Sequence, residues 1–194
     1  DTGKSKKNNR LGIEAKPGLA KILFPMSLDE SSEYLKKEYN LPDSVEQITE
    51  DTIEILSNFY RYEATPKKGA VDFIKRMQSR DIPMAIATSG DRRILNTALE
   101  RLGIANCFTA ILTCSDLKTN KRVATIYLRA AELLGTAPEE TAVFEDVIHA
   151  IKAAKSACFI TYALEDNSSI QDREEIKETA DYYLQDFTDP MLYK

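Results

Sequence analysis

Val143-Phe144-Glu145-Asp146 is a short apolar run that delivers two adjacent carboxylates where a strand gives way to a helix. Reading outward from it, 141–144 fits a short strand and 147–157 a helix, followed by a strand at 159–163, a helix at about 168–179 and Tyr182-Tyr183-Leu184. Towards the N-terminus the same alternation runs back through a helix at 123–134, a strand at 108–113, a helix from about Asp91 to Leu102 stopped by Gly103, a strand at 82–88 and a helix at roughly 70–79. Short apolar strands alternating with helices of ten or so residues predict an α/β fold, a parallel sheet with helices on both faces. Ligands of such sheets sit beyond the carboxyl ends of the strands. Glu145 and Asp146 stand at one of those ends.

The N-terminal third has a different texture. Residues 1–10 are polar and basic, without periodicity, and 1–12 are expected to be irregular or disordered. From 13 to 64 the pattern is helical: Ser27 with Glu30 and Ser44 with Gln47 read as capping boxes, and Ile48, Ile53, Ile55, Leu56, Phe59 and Tyr60 build one apolar helix face. Pro66 and Gly69 break the chain before the α/β part, which is expected to span 65–194.

The 194 residues carry 43% hydrophobic side chains and a net charge of −5. That content suffices for one ordinary core and a small accessory unit. An acidic chain lacks the basic face that nucleic acid or an anionic membrane would select, so a small molecule is the expected partner. No apolar run approaches the length of a membrane span. The three cysteines, Cys107, Cys114 and Cys158, show no zinc or redox spacing, which favours a cytoplasmic setting. Oligomeric state is not written in the sequence.

Three strand ends carry residues of chemical interest. Thr88-Ser89-Gly90 offers two hydroxyls and backbone N–H groups to an anion, or is an ordinary turn and helix start. Lys121, in the loop 118–122, would steady charge on a phosphoryl group, or is simply solvated. Glu145 and Asp146 suit magnesium, which takes oxygen ligands and keeps waters, or Asp146 merely caps the next helix. His149, the one histidine, is expected to pack beside the site rather than to react.

In order and spacing, Thr88, Lys121 and Glu145-Asp146 resemble the second, third and fourth motifs of the haloacid dehalogenase-like (HAD) phosphatase superfamily. The wider run is similar to the branch that includes beta-phosphoglucomutase and phosphoglycolate phosphatase: Ala85-Ile86-Ala87-Thr88-Ser89, Asn120-Lys121, 126–135, Pro138-Glu139-Glu140 and Val143 to Asp146. The resemblance implies a Rossmann-like core with a small helical cap at 13–64 and a Mg2+-dependent phosphatase acting on a small phosphorylated metabolite through an aspartyl-phosphate intermediate. It implies that Thr88 and Ser89 hold phosphoryl oxygens, that Lys121 neutralises them, and that Asp146 with Glu145 binds the metal. Alternatives are a sugar-phosphate mutase and an inactive phosphate-binding or regulatory relative.

One departure matters most. The family's first motif, Asp-x-Asp-Gly-Thr after an apolar strand, is absent, because nothing apolar precedes Asp1-Thr2-Gly3 and residues 4–10 cannot form a buried strand. In that family the first strand lies between those ending at Thr88 and Glu145, and it brings the nucleophile. Removing it opens a gap where close packing is required and strips hydrogen-bond partners from both neighbours. The expectation is therefore a core lacking its first strand, in a chain that begins at Asp1 as a fragment and is inactive as it stands. Two smaller departures are Arg122, where relatives carry proline or a small polar residue, and Ala157-Cys158, where they often carry Ala-Gly.

Overall fold

A computed structural model describes residues 16–23 and 26–193. The irregular N-terminus expected at 1–12 lies outside them. The chain forms two compact units, one of the residues up to Thr65 with Gly90–Gly103, the other of Pro66–Ser89 with Ile104–Lys194.

The first unit is helical: α1 (Leu19–Leu23), α2 (Leu28–Tyr39), α3 (Val45–Tyr62) and, beyond one helix that belongs to the other unit, α5 (Arg92–Leu102). Ser27 and Glu30 close a full capping box at the start of α2, Glu30 N–H donating to Ser27 Oγ at 3.2 Å and Ser27 N–H to Glu30 Oε2 at 2.7 Å. At α3 only half of the expected box forms. Ser44 Oγ accepts from the Gln47 N–H, but the Gln47 amide reaches forward to Asp51 Oδ1 at 2.7 Å, an i,i+4 bond along the helix. Leu19, Leu23, Leu35, Leu41 and Ile48 make one buried cluster of the unit. Of the predicted α3 stripe, Ile48 and Ile53 are buried, whereas Tyr60 is exposed. Asp91 caps α5 through the Arg93 N–H, and Arg93 pairs with Glu50 of α3 at 3.0 Å.

The second unit holds α4 (Ala70–Gln78), β1 (Ala85–Thr88), β2 (Ala110–Thr113), α6 (Thr125–Leu134), β3 (Ala142–Glu145), α7 (Ile148–Ser156), β4 (Ile160–Leu164), α8 (Arg173–Thr179) and β5 (Tyr182–Leu184). Every pairing is parallel, as the alternation of strands and helices requires. Strand β1 starts later than predicted. Pro83 offers no N–H to a ladder, which leaves 82–84 outside it. The helix expected at 168–179 is broken: Asp166 caps a 3-10 segment at Asn167–Asp172, non-helical at Ser169, and α8 follows.

Alternation along β3 sorts the helices onto two faces. Val143 packs into a cluster with Ile126 and Tyr127 of α6 and Ala150, Ala153 and Ala154 of α7. Its neighbour Phe144 points the other way, its ring centroid 5.4 Å from that of Phe73 on α4 and 4.9 Å from Tyr162 on β4. Cys158, exposed after α7, adopts φ +67°, a conformation glycine takes more readily and the physical content of the Ala-Cys departure.

The strands do not form one sheet. Strands β1 and β2 pair with each other, β3, β4 and β5 form a second group, and no strand among the described residues joins β1 to β3. Between them lies a cavity of about 550 Å³. Ala85 and Ala87 of β1 line one side and 142–145 of β3 the other, with Phe73 and Met77 of α4 and Tyr127 of α6 on the two faces. Backbone direction shows which groups of each strand face this space. Met84 and Thr88 carbonyls accept from β2-side N–H groups (Thr109 at 2.7 Å, Cys114 at 2.8 Å), so the peptide groups of Ala85 and Ala87 turn to the cleft. On β3 the Thr141 carbonyl accepts from Ile160 N–H at 3.1 Å, which turns Ala142 and Phe144 towards the same space.

Candidate active site at the strand ends

Glu145 is the last residue of β3 and is only 7% exposed. A carboxylate in that position needs compensation. Among the described residues it receives two donors, both on one oxygen: Lys121 Nζ at 2.5 Å and the Tyr127 hydroxyl at 2.8 Å, each donating to Oε1. Lys121 reaches inward from the loop between β2 and α6. The Thr119 N–H donates to the Cys114 carbonyl at 3.0 Å and the Arg122 N–H to Asn120 Oδ1 at 2.9 Å, fixing the loop's path. With its side chain 18% exposed, Lys121 is a paired, mostly buried cation and not a solvated loop charge.

Asp146 does not cap α7. The capping position is Val147, with no side-chain hydrogen bond. The Asp146 carboxylate instead lies 3.6 Å from Lys67 Nζ, which also holds Asp166 Oδ2 at 2.5 Å and the Glu165 carbonyl at 3.3 Å. Thr88 closes β1 opposite Thr113 of β2, with Ser89 exposed just beyond it. The structure thus joins Lys121 to Glu145 directly and sets Asp146 against a second lysine. His149 is half-buried on α7; burial and then the Arg122 charge lower its pKa, with Glu145 opposing.

Tyr127, Lys67 and Asp166 were not singled out from sequence. Tyr127 follows Ile126 on the inward face of α6, where an aromatic reads as core, and Lys67 sits in what reads as a linker. A buried tyrosine needs a partner for its hydroxyl, and that was the one available signal. Burial, and next the Glu145 charge, push the Tyr127 pKa far up, so the hydroxyl stays a donor. Burial likewise raises the Cys114 thiol.

Partial burial opposes ionisation of Asp166, but the Lys67 hydrogen bond and those from Ser168 outweigh it and hold the pKa at about 2. A depressed folded pKa means stability that is present above the unfolded value near 3.8 and lost as pH falls through about 2. Asp166→Asn is therefore expected to be about 1–2 kcal/mol less stable than the parent at pH 5 and to converge with it near pH 2. Urea midpoints at the two pH values measure this, and a gap that does not change with pH would contradict it.

Among the described residues no group of three or more His, Cys, Asp or Glu side chains is placed to hold a metal. Glu145 and Asp146 are two adjacent oxygen donors, and magnesium is commonly held by one or two carboxylates with water and substrate phosphate completing its shell. The donor set fits that ion. None of the described helices is long and apolar enough to cross a membrane.

The family described as haloacid dehalogenase-like hydrolase matches residues 8–163. Among curated relatives, validoxylamine A 7'-phosphate phosphatase of Streptomyces hygroscopicus subsp. limoneus is 31% identical over 62% of this chain and 55% of its own length. Phosphorylated carbohydrates phosphatase of Thermotoga maritima is 29% identical over 76% of this chain and 62% of its own. The chain therefore spans somewhat more than half the length of these two relatives. CbbY from Rhodobacter sphaeroides, solved in complex with phosphate, superposes with a TM-score of 0.81 at 18% identity, covering 97% of this chain and 87% of that one. This likeness bears on the fold.

Proposed function

We propose, since this chain belongs to the haloacid dehalogenase-like hydrolase family, that it carries the site of a magnesium-dependent phosphatase for a small phosphorylated carbohydrate or related metabolite. The observation that carries this reading is the Lys121–Glu145 pair, beside Asp146, at the carboxyl end of a strand that borders an open cleft. The two relatives, named for phosphatase activity on phosphorylated carbohydrates and on a phosphate ester, support the substrate class. In this reading Thr88 and Ser89 hold phosphoryl oxygens by hydroxyl and backbone N–H groups, and Lys121 steadies their charge. Glu145 and Asp146 hold magnesium, which neutralises the phosphoryl charge when bound. The Asp-x-Asp-Gly-Thr motif that carries the nucleophile in the resembled family does not occur in the 194 residues. An aspartate at the end of a strand filling the β1–β3 cleft would accept the phosphoryl group and then release it to water, splitting one displacement into two easier ones. The free thiols of all three cysteines agree with a reducing, cytoplasmic setting.

The test is hydrolysis of a panel of sugar phosphates by the chain as it stands and by a version extended with an apolar strand ending in Asp-x-Asp. Magnesium-dependent phosphate release by the extended protein alone, abolished by Asp146→Ala, is the expected result. Release of no phosphate across the panel overturns the phosphatase reading, and transfer between sugar positions without net release replaces it with a mutase. Phosphate binding with neither reaction identifies an inactive binding protein.

A further inference from the structure

The two donors on Glu145 divide its carboxylate unequally. Lys121 and Tyr127 both take Oε1, and among the described residues no protein donor reaches Oε2. An ionised carboxylate accepts at both oxygens, and a buried acceptor without a partner is uncommon. Glu145 is among the residues that border the cleft. The Tyr127 hydroxyl is held in place by its own packing: the residue is 3% exposed, follows the fully buried Ile126, and its ring meets Phe159 edge-on with centroids 6.2 Å apart. A rigid donor on a packed helix fixes the carboxylate more tightly than a lysine on a flexible stem.

We propose that Tyr127 is a positioning residue whose hydroxyl, with Lys121, occupies Oε1 of Glu145 and so reserves Oε2 for a divalent cation. This rests on the magnesium reading given above. Tyr127 does not touch the cation. It orients a carboxylate that does, and partners of that kind are typically worth 10–100-fold in metal affinity.

The experiment is Mn2+ binding to the 194-residue chain, followed by the electron paramagnetic resonance signal of the free ion. The proteins are the parent, Tyr127→Phe, Glu145→Gln and the double variant. Binding by Tyr127→Phe is expected to weaken about 10-fold or more, with the double variant no weaker than Glu145→Gln alone, because the hydroxyl acts only through that carboxylate. A merely structural role would instead add its loss to that of Glu145→Gln, and this overturns the inference, as does parent-like affinity in Tyr127→Phe. Those results leave the magnesium reading standing if Glu145→Gln itself weakens binding. A parent chain that binds no Mn2+, or binds it as well after Glu145→Gln, removes that reading and the inference with it. Should Tyr127→Phe fail to fold, Phe159→Leu keeps the hydroxyl while freeing the ring, and the same tests apply to it.

Discussion

Lys121→Met is expected to unfold at a much lower urea concentration than the parent, losing about 3–5 kcal/mol, because it breaks a buried pair and leaves the Glu145 carboxyl group with the Tyr127 hydroxyl as its remaining partner among the described residues. Against a typical total of about 5–15 kcal/mol, that leaves a marginal protein. The diagnostic comparison is the double replacement Lys121→Met with Glu145→Leu. Removing both charges removes the desolvation penalty as well, so most of the lost stability should return. Equilibrium urea unfolding of the three proteins measures both effects. A single-variant loss under about 1 kcal/mol would mean that the pair behaves as a solvated surface bridge.

A second large effect is expected from filling the cleft. A separate peptide of alternating apolar residues should stabilise the 194-residue chain in a concentration-dependent way, by about 2.7 kcal/mol when present at 100 times its dissociation constant. The physical basis is two-sided. Peptide groups of Ala85 and Ala87 on one edge and of Ala142 and Phe144 on the other supply ladder partners, while Phe73, Met77 and Tyr127 offer apolar surface above and below. Thermal unfolding at increasing peptide concentration provides the measurement. A scrambled peptide with charges at the inward positions serves as the control, and equal stabilisation by both peptides would show that the cleft does not select a strand.

Much of this architecture was legible in the residues. Strand–helix alternation predicts the parallel pairings because parallel strands need crossovers, and Gly103 and Asp91 mark the ends of α5 through conformations and hydrogen bonds that are local in sequence. Local signals fail where another nearby group competes. Gln47 was expected to bond back to the Ser44 backbone but bonds forward to Asp51, and the kink at Ser169 interrupts a stretch whose composition reads as one helix. At the site, strand-end position singled out Thr88, Lys121, Glu145 and Asp146. The direct pairing of Lys121 with Glu145 was not legible, since it depends on a loop conformation, and neither was the part of Lys67, which meets Asp166 from far along the chain.

The aromatic wall of the cleft bears on how the second unit folds. Phe73 and Phe144 both contact Phe187, with centroids 5.2 and 5.5 Å from its ring, and the Phe187 N–H donates to the Lys68 carbonyl at 3.0 Å. The contacts of Phe187 with Phe73 and with the Lys68 carbonyl join the two extremes of the unit's sequence, so the entropy of closing a very long loop is spent before they form. Helix α6 and the β1–β2 pair can assemble from nearer neighbours, which gives them a head start. The wall is therefore expected to form on the late side of the transition state. Substitutions at Phe187 should quicken unfolding while leaving the refolding rate almost untouched.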